Sequence, residues 1–217
     1  MLMPSKHVVR SFVENGIYHV YNRGVEKRDI FLDDQDRKLF LYYAFIYLSP
    51  LQKVLQSYPT ISSRLQRNNL SSQIELLSFC LMPNHFHLLI KQIAQDSISR
   101  LLRQLTNAYT SYFNQKYHRV GGLVQGKFKA VVIEDDELLL HVSRYIHLNP
   151  LVSGVTKDLD MYPWSSYSEY TQNKSGLCHK ELILAYFLGP NAYKPFVLDH
   201  AGYAKEVESI RHVTLEE

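Results

Sequence analysis

Between residues 16 and 24 the chain reads GIYHVYNRG, with Val and aromatic residues alternating inside a glycine at each end. A strand sends successive side chains to opposite faces, so this pattern predicts a strand ending at Gly24. The period then changes. In DDQDRKLFLYYAFIYLSP, Asp33 and Asp34 stand where a helix N-cap and first turn belong, and Ser49-Pro50 closes the segment. Leu39, Tyr42, Tyr43 and Ile46 fall on one face of that helix. From about 50 to 73 the composition turns to Gln, Ser, Asn and Arg, which predicts a partly helical insertion.

Alternation returns from 74 to about 92. Pro83-Asn84 reads as a turn between LLSFCLM and HFHLLIK, giving a hairpin. On its second strand Phe86, Leu88 and Ile90 share one face, while His85 and His87 share the other. A helix opened by Asp96 follows, with an apolar stripe of Ile98, Leu101, Leu102, Leu105, Ala108, Tyr109 and Tyr112. Arg100, Arg103 and Asn107 lie on another face of it. After a basic, Gly-rich loop, KAVVIED is a short final strand. Asp135 or Asp136 then opens DELLLHVSRYIHLNP, a helix that Pro150 is expected to stop. A loop containing MYPWSSYSEY, a helix in KELILAYFLG and a weakly patterned tail from about 190 complete the chain.

Strand, helix, strand, strand, helix, strand is the order of the ferredoxin-like (RRM-like) split βαβ fold, an α+β class. Its antiparallel sheet carries both helices on one face. The two histidines would then look out from the open face, and the helix that begins at Asp136 is the element expected to cover it. Residues 12–150 are expected to form this domain, with 151–217 as a C-terminal extension packed on it or following it.

The 217 residues carry a net charge of +3, which permits a nucleic-acid partner without requiring one. Two cysteines far apart suggest neither a disulfide framework nor a thiolate metal site, so a reducing, cytoplasmic setting is expected. No apolar run approaches the roughly 18 residues needed to cross a bilayer, and no membrane partner is expected.

Two neutral imidazoles at one end of a rigid strand can form half of a divalent metal site, or can stand as two exposed histidines on an open sheet face. On the later helix Tyr145 and Asn149 are one turn apart, with His141 a turn earlier. Tyr145 can act as a nucleophile, and Asn149 can offer an amide oxygen to a metal. The competing tyrosines are Tyr109 and Tyr112, which lie on an apolar stripe, and Tyr117 at the basic loop. His19 could stand behind the metal ligands. For nucleic-acid contact the best set is Arg100, Arg103, Lys116, Arg119, Lys127 and Lys129, aimed at phosphates, with Tyr117 available for base contact.

MPNHFHLLI followed by RYIHLNP and then YPWSSY resembles the single-tyrosine HUH transposases, particularly the IS200-like and REP-associated branch. The likeness runs from Tyr18 to about Tyr167. It implies that His85 and His87 bind a divalent metal, Mg²⁺ or Mn²⁺. Tyr145 would be the nucleophile and Asn149 the third protein ligand, where many relatives have Gln. The implied activity is cleavage and rejoining of single-stranded or hairpin DNA through a 5′-phosphotyrosine intermediate, by a monomer or homodimer. Two other readings stay open: a DNA-binding relative without cleavage, and an iron oxygenase that would need a carboxylate beside the imidazoles.

Overall fold

The computed structural model describes residues 11–172, 174–189 and 191–199. Four strands form one antiparallel sheet: β1 (Ile17–Arg23), β2 (Ile74–Met82), β3 (His85–Gln92) and β4 (Lys129–Ile133), in spatial order β2-β3-β1-β4. Helices α1 (Asp34–Leu48) and α4 (Ser97–Lys116) lie between β1 and β2 and between β3 and β4, with two short helices, α2 (Leu51–Ser57) and α3 (Ser63–Arg67), in the insertion. This is the expected α+β architecture, with the strand order of the split βαβ pattern. Among the described residues, α5 (Asp136–Val152), α6 (Tyr167–Thr171), α7 (Glu181–Leu184) and α8 (Tyr193–Leu198) follow the sheet.

Strand parity divides the interior into two cores. Tyr18, Val20, Phe86, Leu88 and Ile90 point to one face and pack with Phe40 and Tyr47 of α1 and Leu101, Leu105 and Tyr109 of α4. Tyr21, Leu89, Val131 and Ile133 point to the other, where Leu139, Val142, Tyr145, Ile146 and Leu148 of α5 cover them. The face left open by the split βαβ unit is thus closed by α5, as its apolar run predicts. Truncating a ring such as Phe86 at the centre of the first core would cost about 3–5 kcal/mol.

The helix starts follow from side-chain acceptors. Asp33 accepts from the backbone N–H of Asp36 at 3.0 Å, and Asp36 reciprocates to Asp33 in a capping box that opens α1. Asp135 accepts from the N–H of Leu138 at 2.7 Å and opens α5. Asp96 differs from expectation. It occupies the N-cap position of α4 in a left-handed conformation and makes no side-chain cap, and Gln92 Oε1 accepts from the Ile98 N–H at 3.2 Å instead.

Three further expectations need correction. The buried residues of α1 are Asp36, Phe40, Ala44, Ile46, Tyr47 and Leu48, so of the expected face only Ile46 is in the core. The helix is covered on more than one side, because Tyr58 from the insertion packs edge-on against Tyr42 at 4.9 Å. Pro150 does not stop α5, which runs on to Val152 with the proline inside its last turns. Of 180–189, the segment expected to be helical, only 181–184 is an α-helix, and a short helix α8 forms in the weakly patterned segment that follows.

β2 is an edge strand, and the segment 162–170 shields it. The Leu81 N–H donates to Trp164 O at 2.8 Å, and the hydroxyls of Tyr162 and Tyr170 donate to the carbonyls of Leu81 and Leu77, each at 2.6 Å. Those bonds occupy backbone groups that an exposed edge would offer to another chain.

Candidate active site

His85 and His87 lie on the sheet face that α5 covers. The turn before them is pinned by the β1 end: Gly24 N–H donates to Asn84 O at 2.8 Å, and Ile30 and Phe31 N–H both donate to Pro83 O. Gly24 is needed there, since a Cβ would sit 2.2 Å from Arg28 O. The two imidazole rings stand at 89° with centroids 4.8 Å apart. His87 is fully buried and His85 is 8% exposed.

Each ring is held by its Nδ1. His85 Nδ1 lies 2.5 Å from Asn84 Oδ1. An amide oxygen only accepts, so Nδ1 carries the hydrogen and Nε2 keeps its lone pair. His87 Nδ1 lies 3.0 Å from His19 Nε2, and the His87 Nε2 is buried with no hydrogen-bond partner. Ligating histidines are commonly oriented this way through the nitrogen that does not meet the metal. Burial, then the charge of Arg23 and the neighbouring His19, pushes His85 down to about 3. Burial, with His85, His19 and Arg23 adding to it, puts His87 well below its ordinary range. Both rings are therefore neutral at pH 7 and present nitrogen lone pairs, the state a divalent cation requires. An orphaned buried Nε2 beside a second imidazole fits such a cation. Among the described residues no group of three or more His, Cys, Asp or Glu is placed to hold a metal, so the carboxylate an iron oxygenase would need does not join them.

Tyr145 comes to the same place from α5. Its ring meets that of His87 edge-on at 5.4 Å and that of His19 at 6.0 Å, and the residue is 1% exposed. Asn149 lies one turn further along α5 and is also buried, and its carbonyl accepts from Ser153. His141 pairs with Glu137 at 3.5 Å. His147 serves the fold: its two nitrogens contact the hydroxyls of Tyr193 and Ser166, each at 2.7 Å, tying α5 to the C-terminal segments.

The competing tyrosines are engaged on the other side of the sheet. Tyr109 donates to Ile30 O, while Tyr112 and Tyr117 donate to Asp36 at 3.2 and 2.9 Å. Lys116 is engaged there too, 2.7 Å from Asp33 and 2.8 Å from Asp36. Burial opposes its charge, but those carboxylates outweigh it and raise its pKa. Arg100 donates to Gln73 at 2.8 Å and Arg119 to Asn114 at 3.2 Å. Arg103, Lys127 and Lys129 line one groove with Asn22, Asn107 and Phe128.

Three residues of the site escaped the motif reading. Asn84 stands in the turn, and an amide beside a histidine is a candidate to orient it. Tyr21 pairs in register with His87, with ring centroids 6.0 Å apart, and lies 5.0 Å from His19. Arg23 pairs with His85, and its Nε is buried without a partner. Tyr21 and Arg23 follow from strand parity with His19, once the register of β1 against β3 is known.

Comparison with known proteins finds similarity to transposases in sequence and in fold. Residues 50–149 match the family model described as IS200-like transposase, a span that takes in the insertion, the histidine hairpin and α5 as far as Asn149. A Haemophilus influenzae protein that bears the name of a REP-associated tyrosine transposase is 26% identical over 169 residues, 73% of this chain and 83% of its own length. The solved structure of a REP-associated tyrosine transposase bound to a REP hairpin superposes with a TM-score of 0.53 at 19% identity, over 76% of this chain and 84% of that one. It shares the fold. In sequence the chain is thus similar to the IS200-like and REP-associated tyrosine transposases, and it shares the fold of one of them.

Proposed function

We propose that this protein cleaves and rejoins single-stranded DNA carrying a hairpin, with Tyr145 as nucleophile and a divalent cation, Mn²⁺ or Mg²⁺, held by His85, His87 and Asn149. The observation that carries this reading is the Tyr145 ring 5.4 Å from His87 on a face with an unpartnered imidazole nitrogen. The Tyr145 oxygen attacks phosphorus and the bond to the 3′-oxygen breaks, leaving a 5′-phosphotyrosine and a free 3′-hydroxyl. The phenol loses its proton and the departing 3′-oxygen gains one. A bound cation would draw charge from the phosphate and its leaving oxygen.

The remaining roles belong to this chain's residues. A free tyrosine has a pKa of about 10, so only on the order of one in a thousand is phenolate at pH 7. Enclosure against the rings of His87 and His19 holds Tyr145 in place, and positioning supplies much of what a weak nucleophile lacks. Asn84 and His19 fix the two imidazoles. Arg23 adds a cation beside His85, suited to a phosphate oxygen. Because Tyr145 is enclosed, the side chains over it must part to admit the strand. The relative solved with a REP hairpin supports hairpin DNA as the substrate class. Incubation with a labelled single-stranded hairpin and Mn²⁺ should give a denaturation-resistant adduct. Tyr145→Phe and His85→Ala should abolish it. DNA binding with no adduct under any divalent cation would leave a binding protein of the same fold.

A further inference from the structure

Away from the histidine face, a groove of about 860 Å³ opens between α4, the end of β1 and the start of β4. That is the size of a small-ligand site. Its wall carries Arg103, Lys127 and Lys129 and, among the described residues, no acidic lining residue. Arg103 and Lys127 make no ion pair among the described residues, unlike Lys116. Phe12 and Phe128 also line it, their rings 6.0 Å apart and within 23° of parallel. Two amides complete the set. Asn22 Oδ1 is taken by the Arg23 N–H at 2.8 Å, which leaves its NH₂, and Asn107 is exposed on α4.

Cations, flat apolar rings and amides together match the three parts of an unpaired nucleotide: phosphate, base face and base edge. The groove also leads to the chemistry. Lys129 lines it and sets its ammonium 6.0 Å from the Tyr21 ring, which is itself 6.0 Å from the His87 ring.

We propose that this groove seats the unpaired nucleotides that flank the phosphate presented to the histidine face. Arg103 and Lys127 hold backbone phosphates, Phe128 stacks on a base, and Asn107 reads a base edge. The proposal rests on the DNA-processing reading above and specifies where its substrate strand runs.

The test is binding in EDTA, which separates it from cleavage. Fluorescence anisotropy would follow labelled eight-nucleotide oligodeoxyadenylate and oligothymidylate over a salt series. Arg103→Ala and Lys127→Ala should each weaken binding and reduce the salt slope by about 0.7. Phe128→Leu, which keeps an apolar side chain, should weaken it about 5- to 100-fold. Asn107→Ala should change the ratio of the two affinities. Arg67→Ala, which removes an exposed cation from α3, should bind as the wild type does. Wild-type affinity and slope in all four groove variants would overturn the proposal. So would competition by adenosine monophosphate as effective as that of the oligonucleotide, which marks a small-anion site. Groove-dependent binding by a protein that forms no adduct would sink the nuclease and leave the groove. Adduct formation at an unchanged oligonucleotide concentration in every groove variant would do the reverse.

Discussion

His19 Nε2 lies 3.0 Å from His87 Nδ1, across the β1–β3 pairing and beneath the ring of Tyr145. The contact fixes the orientation of an imidazole whose other nitrogen is buried without a hydrogen-bond partner. His19→Ala should therefore weaken Mn²⁺ binding about 10- to 100-fold, the usual effect of removing a group that orients a metal ligand. Isothermal titration with Mn²⁺ checks this. His19→Gln, which can keep one hydrogen bond to Nδ1, should recover part of the loss.

Arg23 supplies positive charge to the same face. Arg23→Ala should lower cleavage about 10- to 100-fold, the range for losing one hydrogen bond to a charged group. Mn²⁺ affinity should hold or rise, because a neighbouring cation has gone. A single-turnover assay beside the metal titration separates the two effects. Loss of metal binding in this variant would show that the arginine supports the histidines rather than the phosphate.

Buried neutral histidines make the metal-free fold acid-sensitive. Burial lowers His147 and His85 to about 3, while an unfolded histidine titrates near 6.5. Between those values the unfolded chain binds more protons than the folded one. The stability these groups supply is thus complete above about pH 6.5 and is lost as pH falls toward 3. Thermal melts in EDTA should show the melting temperature falling from pH 7 to pH 4.5, and His147→Gln should flatten that slope. A flat profile in the wild type would contradict the account.

Asp36 joins α1 to α4. Its carboxylate is fully buried and meets Lys116, Tyr112, Tyr117 and the Leu32 N–H. Asp36→Ala leaves Lys116 with Asp33 alone, takes the acceptor from Tyr112 and the Leu32 N–H and breaks the capping box, and should cost about 3 kcal/mol in urea denaturation. The double variant Asp36→Ala, Lys116→Met should cost less than the two single changes together, because no buried charge is then left alone.

The sequence carried the elements whose signal is local. Alternation in β1, β2 and β3 and the aspartate at the start of α5 set the strands, the histidine face and the helix that covers it. What it could not carry depends on pairing between distant segments. Lys116 and Tyr117 read as surface groups for DNA, because the carboxylates they meet stand more than 75 residues earlier. Tyr21 and Arg23 join the site only through the β1–β3 register. Pro150 sits in α5 among the buried residues Leu148 and Asn149, where tertiary packing outweighs the lost amide hydrogen bond and the clash of the ring with the preceding turn. Tyr145 and the two histidines were legible as a motif, whereas their meeting was a matter of topology.

The most direct measurement is tandem mass spectrometry of the covalent adduct formed with a hairpin oligonucleotide and Mn²⁺. Two tyrosine rings flank His87, at 5.4 Å for Tyr145 and 6.0 Å for Tyr21. The account predicts the nucleotide on the peptide that contains Tyr145, with no adduct in Tyr145→Phe. Modification of the Tyr21 peptide, or an adduct that persists in Tyr145→Phe, would contradict it.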